Sequence, residues 1–177
     1  AEALDVADKY RESGAYQRTA TLSWTQAQVR LQHLMIGAEE AELFQRVANR
    51  VIYSDPTLRP SSDVLIRNEL PASSLWAHSI SGDLPIVLVR IEDVAEREIV
   101  RQLLRAHEYW RLKRLAVDLV ILNEQPSSYL QEVRSSLEGL VSASETALRR
   151  EGLETRGKVF ILQADQVPLP VRDLLLA

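Results

Sequence analysis

Three short runs constrain the fold of this chain more than anything else in it. They are Pro85–Ile91 (PIVLVRI), Ala116–Leu122 (AVDLVIL) and Lys158–Leu162 (KVFIL). Each is rich in β-branched residues and almost continuously apolar. None shows the alternation of a strand with one wet face. Such runs suit strands covered on both faces, as in parallel sheets. Two helical patterns lie between them. The first carries Val100, Leu103, Leu104 and His107 on one face; the second carries Leu130, Val133, Leu137, Leu140 and Leu148. Asp93 and Glu96 open the first with capping-box spacing. Ser128 and Gln131 do the same for the second, and Gly152 lies just past its end. Strand, helix, strand, helix, strand predicts parallel pairing through crossovers. The expected fold class is α/β: an N-terminal helical hairpin, then a small three-stranded parallel βαβαβ unit.

The hairpin is expected over residues 1–54. Tyr16, Ala20, Trp24, Ala27, Leu31 and Leu34 recur at steps of three and four, and Gly37 is read as the stop. Ala41, Phe44, Ala48 and Val51 repeat the pattern up to Ser54-Asp55-Pro56. Residues 55–84 hold Pro56, Pro60 and Pro71 and are expected to be a loop-rich connection with at most one helical turn. Residues 85–177 form the α/β unit. The chain starts at Ala1 without a methionine and ends inside the leucine run Asp173–Ala177. It therefore reads as a piece cut within a C-terminal helix of a longer protein. Two helices are scant cover for both faces of a sheet, so further cover is expected from the hairpin or from absent neighbours.

The net charge is −4, from 21 basic and 25 acidic residues, which gives no general pull toward nucleic acid or anionic lipid. No cysteine is present, so thiolate zinc sites, disulfides and cysteine nucleophiles are excluded. The apolar runs are far too short for direct membrane insertion by this segment.

Ligands of open parallel sheets tend to bind beyond the carboxyl ends of the strands. Those ends offer Arg90, Asn123, Glu124 and Gln163, an arginine, two amides and a carboxylate able to hold a sugar or a phosphate. The plainer reading is that Arg90 pairs with a nearby acid and Asn123-Glu124 begin a loop. Ser81-Gly82-Asp83 precedes the first strand. It lacks the second glycine and the lysine of a phosphate loop, so it reads as a turn that docks on another domain. His107 falls on an apolar face, as a hydrogen-bonded core histidine would, and His33 and His78 stand alone. Trp110 is read as core. Asp118, inside an apolar run, needs a partner if buried. Arg97, Arg101 and Arg105 are interrupted by acids and read as a solvated helix face with local ion pairs. No catalytic set, metal site or cofactor is expected.

Three stretches carry a family resemblance. They are Leu75–Ile91 (LWAHSISGDLPIVLVRI), His107–Lys113 (HEYWRLK) and Val117–Glu124 (VDLVILNE). Together they resemble the C-terminal half of cyclic beta-(1,2)-glucan synthases. Ser79 and Arg114 depart from the pattern, which usually has glycine at both. The resemblance implies a very large parent in the bacterial inner membrane, whose N-terminal part transfers glucose from UDP-glucose to a growing glucan. Its C-terminal part would be similar to glycoside phosphorylases. This segment would be soluble and cytoplasmic. It would lie between beta-sandwich segments, before the helical barrel that holds the family's catalytic acid. No residue here matches that acid. The role implied is a non-catalytic connector whose partners are neighbouring domains of the same chain, with glucan as a possible ligand. The alternatives are a carbohydrate- or nucleotide-binding module and a protein-interaction domain.

Overall fold

A computed structural model describes residues 14–53, 55–125, 130–150 and 156–177, without the side chains of residues 30, 33, 94, 130–134 and 147–150. The chain divides into two compact units, Ala1–Glu42 and Leu43–Ala177. In the first, α1 spans Ala15–His33, and α2, Ala38–Ile52, begins. Tyr16 and Trp24 of the predicted stripe are exposed. The stop after α1 is Met35 rather than Gly37. Met35 takes the left-handed conformation with φ 51°. Its amide donates to the Gln32 carbonyl, and that of Ile36 donates to the Leu31 carbonyl. This paired arrangement closes a helix C-terminus.

The second unit holds the sheet. Strands β1 (Ile86–Ile91), β2 (Asp118–Asn123) and β3 (Val159–Gln163) are parallel, in the order β1-β2-β3. Every residue of the central β2 is buried, which is why its sequence does not alternate. Two helices pack on one face: α4 (Arg97–Leu112) through Val100 and Leu104, and α5 (Leu130–Arg150) through Leu137 and Val141. Of the face expected on α5, Leu130, Val133 and Leu148 lie outside the described side chains, as do Ser128 and Gly152 among the caps.

The other face is covered from within this chain. Leu75 and Ile80 come from a 3₁₀ segment at Ala72–His78 and the residues after it; Val171 and Leu175 come from α6 (Leu169–Leu176). Leu174 and Leu175 of the terminal run thus pack on this face of the sheet. The stretch 55–84 is more helical than a loop, with a 3₁₀ turn at Pro56–Leu58, helix α3 at Ser62–Arg67 and the 3₁₀ segment. Arg67 ties α3 to α6 through Asp173 at 2.9 Å.

Polar pins fix the helices. Asp93 Oδ1 accepts from the Ala95 amide at 3.1 Å, and Glu96 accepts from the Asp93 amide at 3.1 Å, the reciprocal cap that the spacing predicts. Trp110, 1% exposed, donates its indole N–H to the Phe44 carbonyl at 2.8 Å. The Phe44 and Tyr109 rings pack alongside, 6.0 Å apart. His107 Nε2 lies 2.8 Å from the Val117 carbonyl, and Ser144 hydrogen-bonds Glu108. A carbonyl only accepts, so His107 carries a proton on Nε2. Burial pushes its pKa below the ordinary value. Arg101 pairs locally with Glu98, whereas Arg97 reaches across to Ser136 of α5 at 3.0 Å instead of facing solvent alone.

Candidate functional site

The carboxyl ends of the strands bring the four predicted residues together and divide them by chemistry. Parallel register aligns Ile91, Asn123 and Gln163 across the sheet. Arg90 and Glu124 close on each other. Arg90 Nε reaches both Glu124 oxygens at 3.0 and 3.1 Å, and its Nη2 lies 2.8 Å from one of them. Glu92 stands 3.7 Å from the same nitrogen. The hydrogen bonds to Glu124 raise the Arg90 pKa above its ordinary value. A fork satisfied in this way offers little to a phosphate.

The amides behave differently. Asn123, 1% exposed, accepts from the Gln125 amide at 3.2 Å through Oδ1, and its Nδ2 has no partner among the described residues. Gln163 is 6% exposed, and both its Oε1 and Nε2 lack partners there. Gln125 Oε1 is a further buried acceptor without one, and the sequence reading did not single it out. Gln163 borders a cleft of about 180 Å³ that also touches His78, Glu138 and Gln166. His78 and Glu138 were missed as site residues because they lie far from Gln163 in sequence and no local spacing joins them to it; Gln166, three residues past Gln163 in the next turn, carried no motif that would single it out.

The amino ends of the strands hold the Ser81-Gly82-Asp83 turn. Ser81 Oγ accepts from the Asp83 amide at 3.3 Å, and the Ser81 carbonyl accepts from the exposed Trp76 indole at 3.0 Å. Gly82 has φ +75°, and a Cβ there would lie 3.2 Å from that of Ala72. Ser79, before the turn, also has positive φ, at 63°. A broad cleft of about 490 Å³ opens there between Ser81, Asp83, Arg156 and Lys158. Asp118 at its base is satisfied, since Oδ1 accepts from the Lys158 amide at 2.9 Å. No group of three or more metal-ligating side chains converges among the described residues.

No family model matches the chain. It is 34% identical over 167 residues to the cyclic beta-(1,2)-glucan synthase NdvB of Rhizobium meliloti (strain 1021). The alignment covers 93% of this chain. The chain is related to the cyclic beta-(1,2)-glucan synthases. It spans 6% of that relative's length, so most of what such a synthase contains lies outside these residues. Both departures from the glucan-synthase pattern take the left-handed conformation, Ser79 at φ 63° and Arg114 at φ 61°. That is the backbone shape glycine adopts most readily. No described helix is long and apolar enough to cross a membrane.

Proposed function

We propose that this chain is a non-catalytic structural segment of a large glucan-synthesising enzyme, within its glycoside-phosphorylase-like region. The parent would sit in the bacterial inner membrane, with this segment on the cytoplasmic side. The observation that carries the reading is where the reactive groups are spent. Arg90 is locked to Glu124, Asp118 holds the amide that starts β3, and His107 holds the Val117 carbonyl.

Exposed apolar side chains support docking against other parts of the parent. Ile66 of α3 and Leu169 of α6 are 77% and 70% exposed, on two helices joined by the Arg67–Asp173 pair. The Ser81-Gly82-Asp83 turn, with Trp76 68% exposed beside it, is a second docking element. The division into a hairpin at 1–54, a connection at 55–84 and an α/β unit at 85–177 belongs to the same proposal.

The test uses Ile66→Ser with Leu169→Ser. Introduced into the full-length parent, the pair is expected to lower the amount of folded enzyme. In the 177-residue chain it is expected to change stability by no more than about 0.5 kcal/mol. Turnover of UDP-glucose, or phosphorolysis of a beta-glucan, by the 177-residue chain itself would overturn the reading.

A further inference from the structure

The cleft beside Gln163 has a chemistry that the scaffold reading does not use. It lies at the carboxyl end of β3 and draws on several elements. His78 comes from the end of the 3₁₀ segment, Glu138 from α5, and Gln166 from the turn after β3. Ile161 and Leu162 supply an aliphatic wall. No lysine or arginine lines it among the described residues. Gln163 is more than nine-tenths buried, and both ends of its amide lack a partner there.

An unpaired buried amide costs about 1–3 kcal/mol. An occupant of the cleft that hydrogen-bonds the amide removes that cost. An amide both donates and accepts, as a hydroxyl does. Phosphate and diphosphate accept only, and they call for cations that this lining lacks. The aliphatic wall suits the C–H face of a ring. At about 180 Å³ the cleft falls below the about 300–1,000 Å³ typical of drug-sized sites, so one ring fits better than a chain of rings. We infer that this cleft binds a neutral polyhydroxy ring, of the chemistry of a single hexose unit, with Gln163 as its central hydrogen-bonding residue. The inference goes beyond the scaffold role and holds or fails independently of it.

The test is a titration of the 177-residue chain with D-glucose and, separately, with inorganic phosphate, followed by amide NMR shifts. Glucose is expected to give saturable shifts at Gln163, Ala164 and Gln166, and phosphate none. Gln163→Leu removes an unsatisfied group, so it is expected to fold, to raise the unfolding midpoint and to weaken glucose binding at least about tenfold. An absence of saturable glucose shifts overturns the inference, and so do matching shifts with phosphate. A clear drop in stability of Gln163→Leu does the same, because it would mean that the amide is already paired. None of these outcomes bears on turnover, the readout that sinks the scaffold reading.

Discussion

At the scale of single residues, left-handed backbone is the most consequential feature of this chain. Met35, Ser79 and Arg114 all have φ between 51° and 63°, and each ends a helical segment with the same pair of reverse hydrogen bonds. For an L-residue this conformation costs roughly 1–2 kcal/mol. Glycine avoids that cost but loses more entropy on folding. Ser79→Gly and Arg114→Gly are each expected to stabilise by about 0.5–1 kcal/mol, read as a higher urea midpoint at unchanged slope. Gly157 is the opposite case. Its φ is +96°, and an added Cβ would sit 2.4 Å from the Val117 carbonyl oxygen. Gly157→Ala is expected to cost on the order of 3 kcal/mol, and retention of the wild-type midpoint would contradict this contact. The resemblance marks glycine as usual at 79 and 114, but the serine puts a positive φ at 79 in doubt, and the residue at 114 carries no sign of one; both take it all the same. Met35 was not legible, because Gly37 two residues on looks like the stop and a methionine carries no sign of positive φ.

At the scale of elements, the strands and the helices between them were legible because burial writes itself into periodicity. The fully buried β2 forced a continuous apolar run, and α4 shows its buried face at Val100, Leu104 and His107. The stretch 55–84 was misread because its prolines look like breakers. Pro56 instead begins a 3₁₀ turn and Pro71 caps another, positions where a missing amide hydrogen is harmless. The pin between α4 and the start of β2 carries a pH prediction. His107 Nδ1 has no partner among the described residues, and burial lowers its pKa from 6.5. The unfolded chain takes up a proton near pH 6.5 while the folded chain resists it. The unfolded state then binds more protons, so stability rises with pH in that window and falls on acidification through it. The slope approaches about 1.4 kcal/mol per pH unit below the unfolded pKa. Urea midpoints at pH 7.5 and pH 5.5 check this, and His107→Asn is expected to flatten the difference.

At the scale of the whole molecule, the sequence pointed to a sheet short of cover, and the chain covers it by a route that periodicity does not reveal. The second face is closed by Leu75, Ile80, Val171 and Leu175, from an irregular segment and an eight-residue helix. Neither is long enough to show a repeating pattern. The same limit hid the cleft at β3. Gln163 was visible as a strand-end residue, but His78 and Glu138 meet it only through the tertiary fold. Arg90 and Glu124 were visible too, and their plainer reading as an ion pair is the one realised. This distribution of cover makes a prediction about what the sheet needs. Both buried clusters on its faces draw all their members from Leu70 onward. The Trp110 pin needs only Phe44 of α2. A chain starting at Ala38 therefore keeps every residue of those clusters and the pin. It is expected to unfold in one cooperative transition. Of the three tryptophans, Trp24 is removed and Trp76 is already exposed, so buried Trp110 reports the transition by fluorescence. A gradual, non-cooperative loss of that signal would mean that α1 contributes to the folding of the sheet, and that closure by Leu75 through Leu175 is not enough.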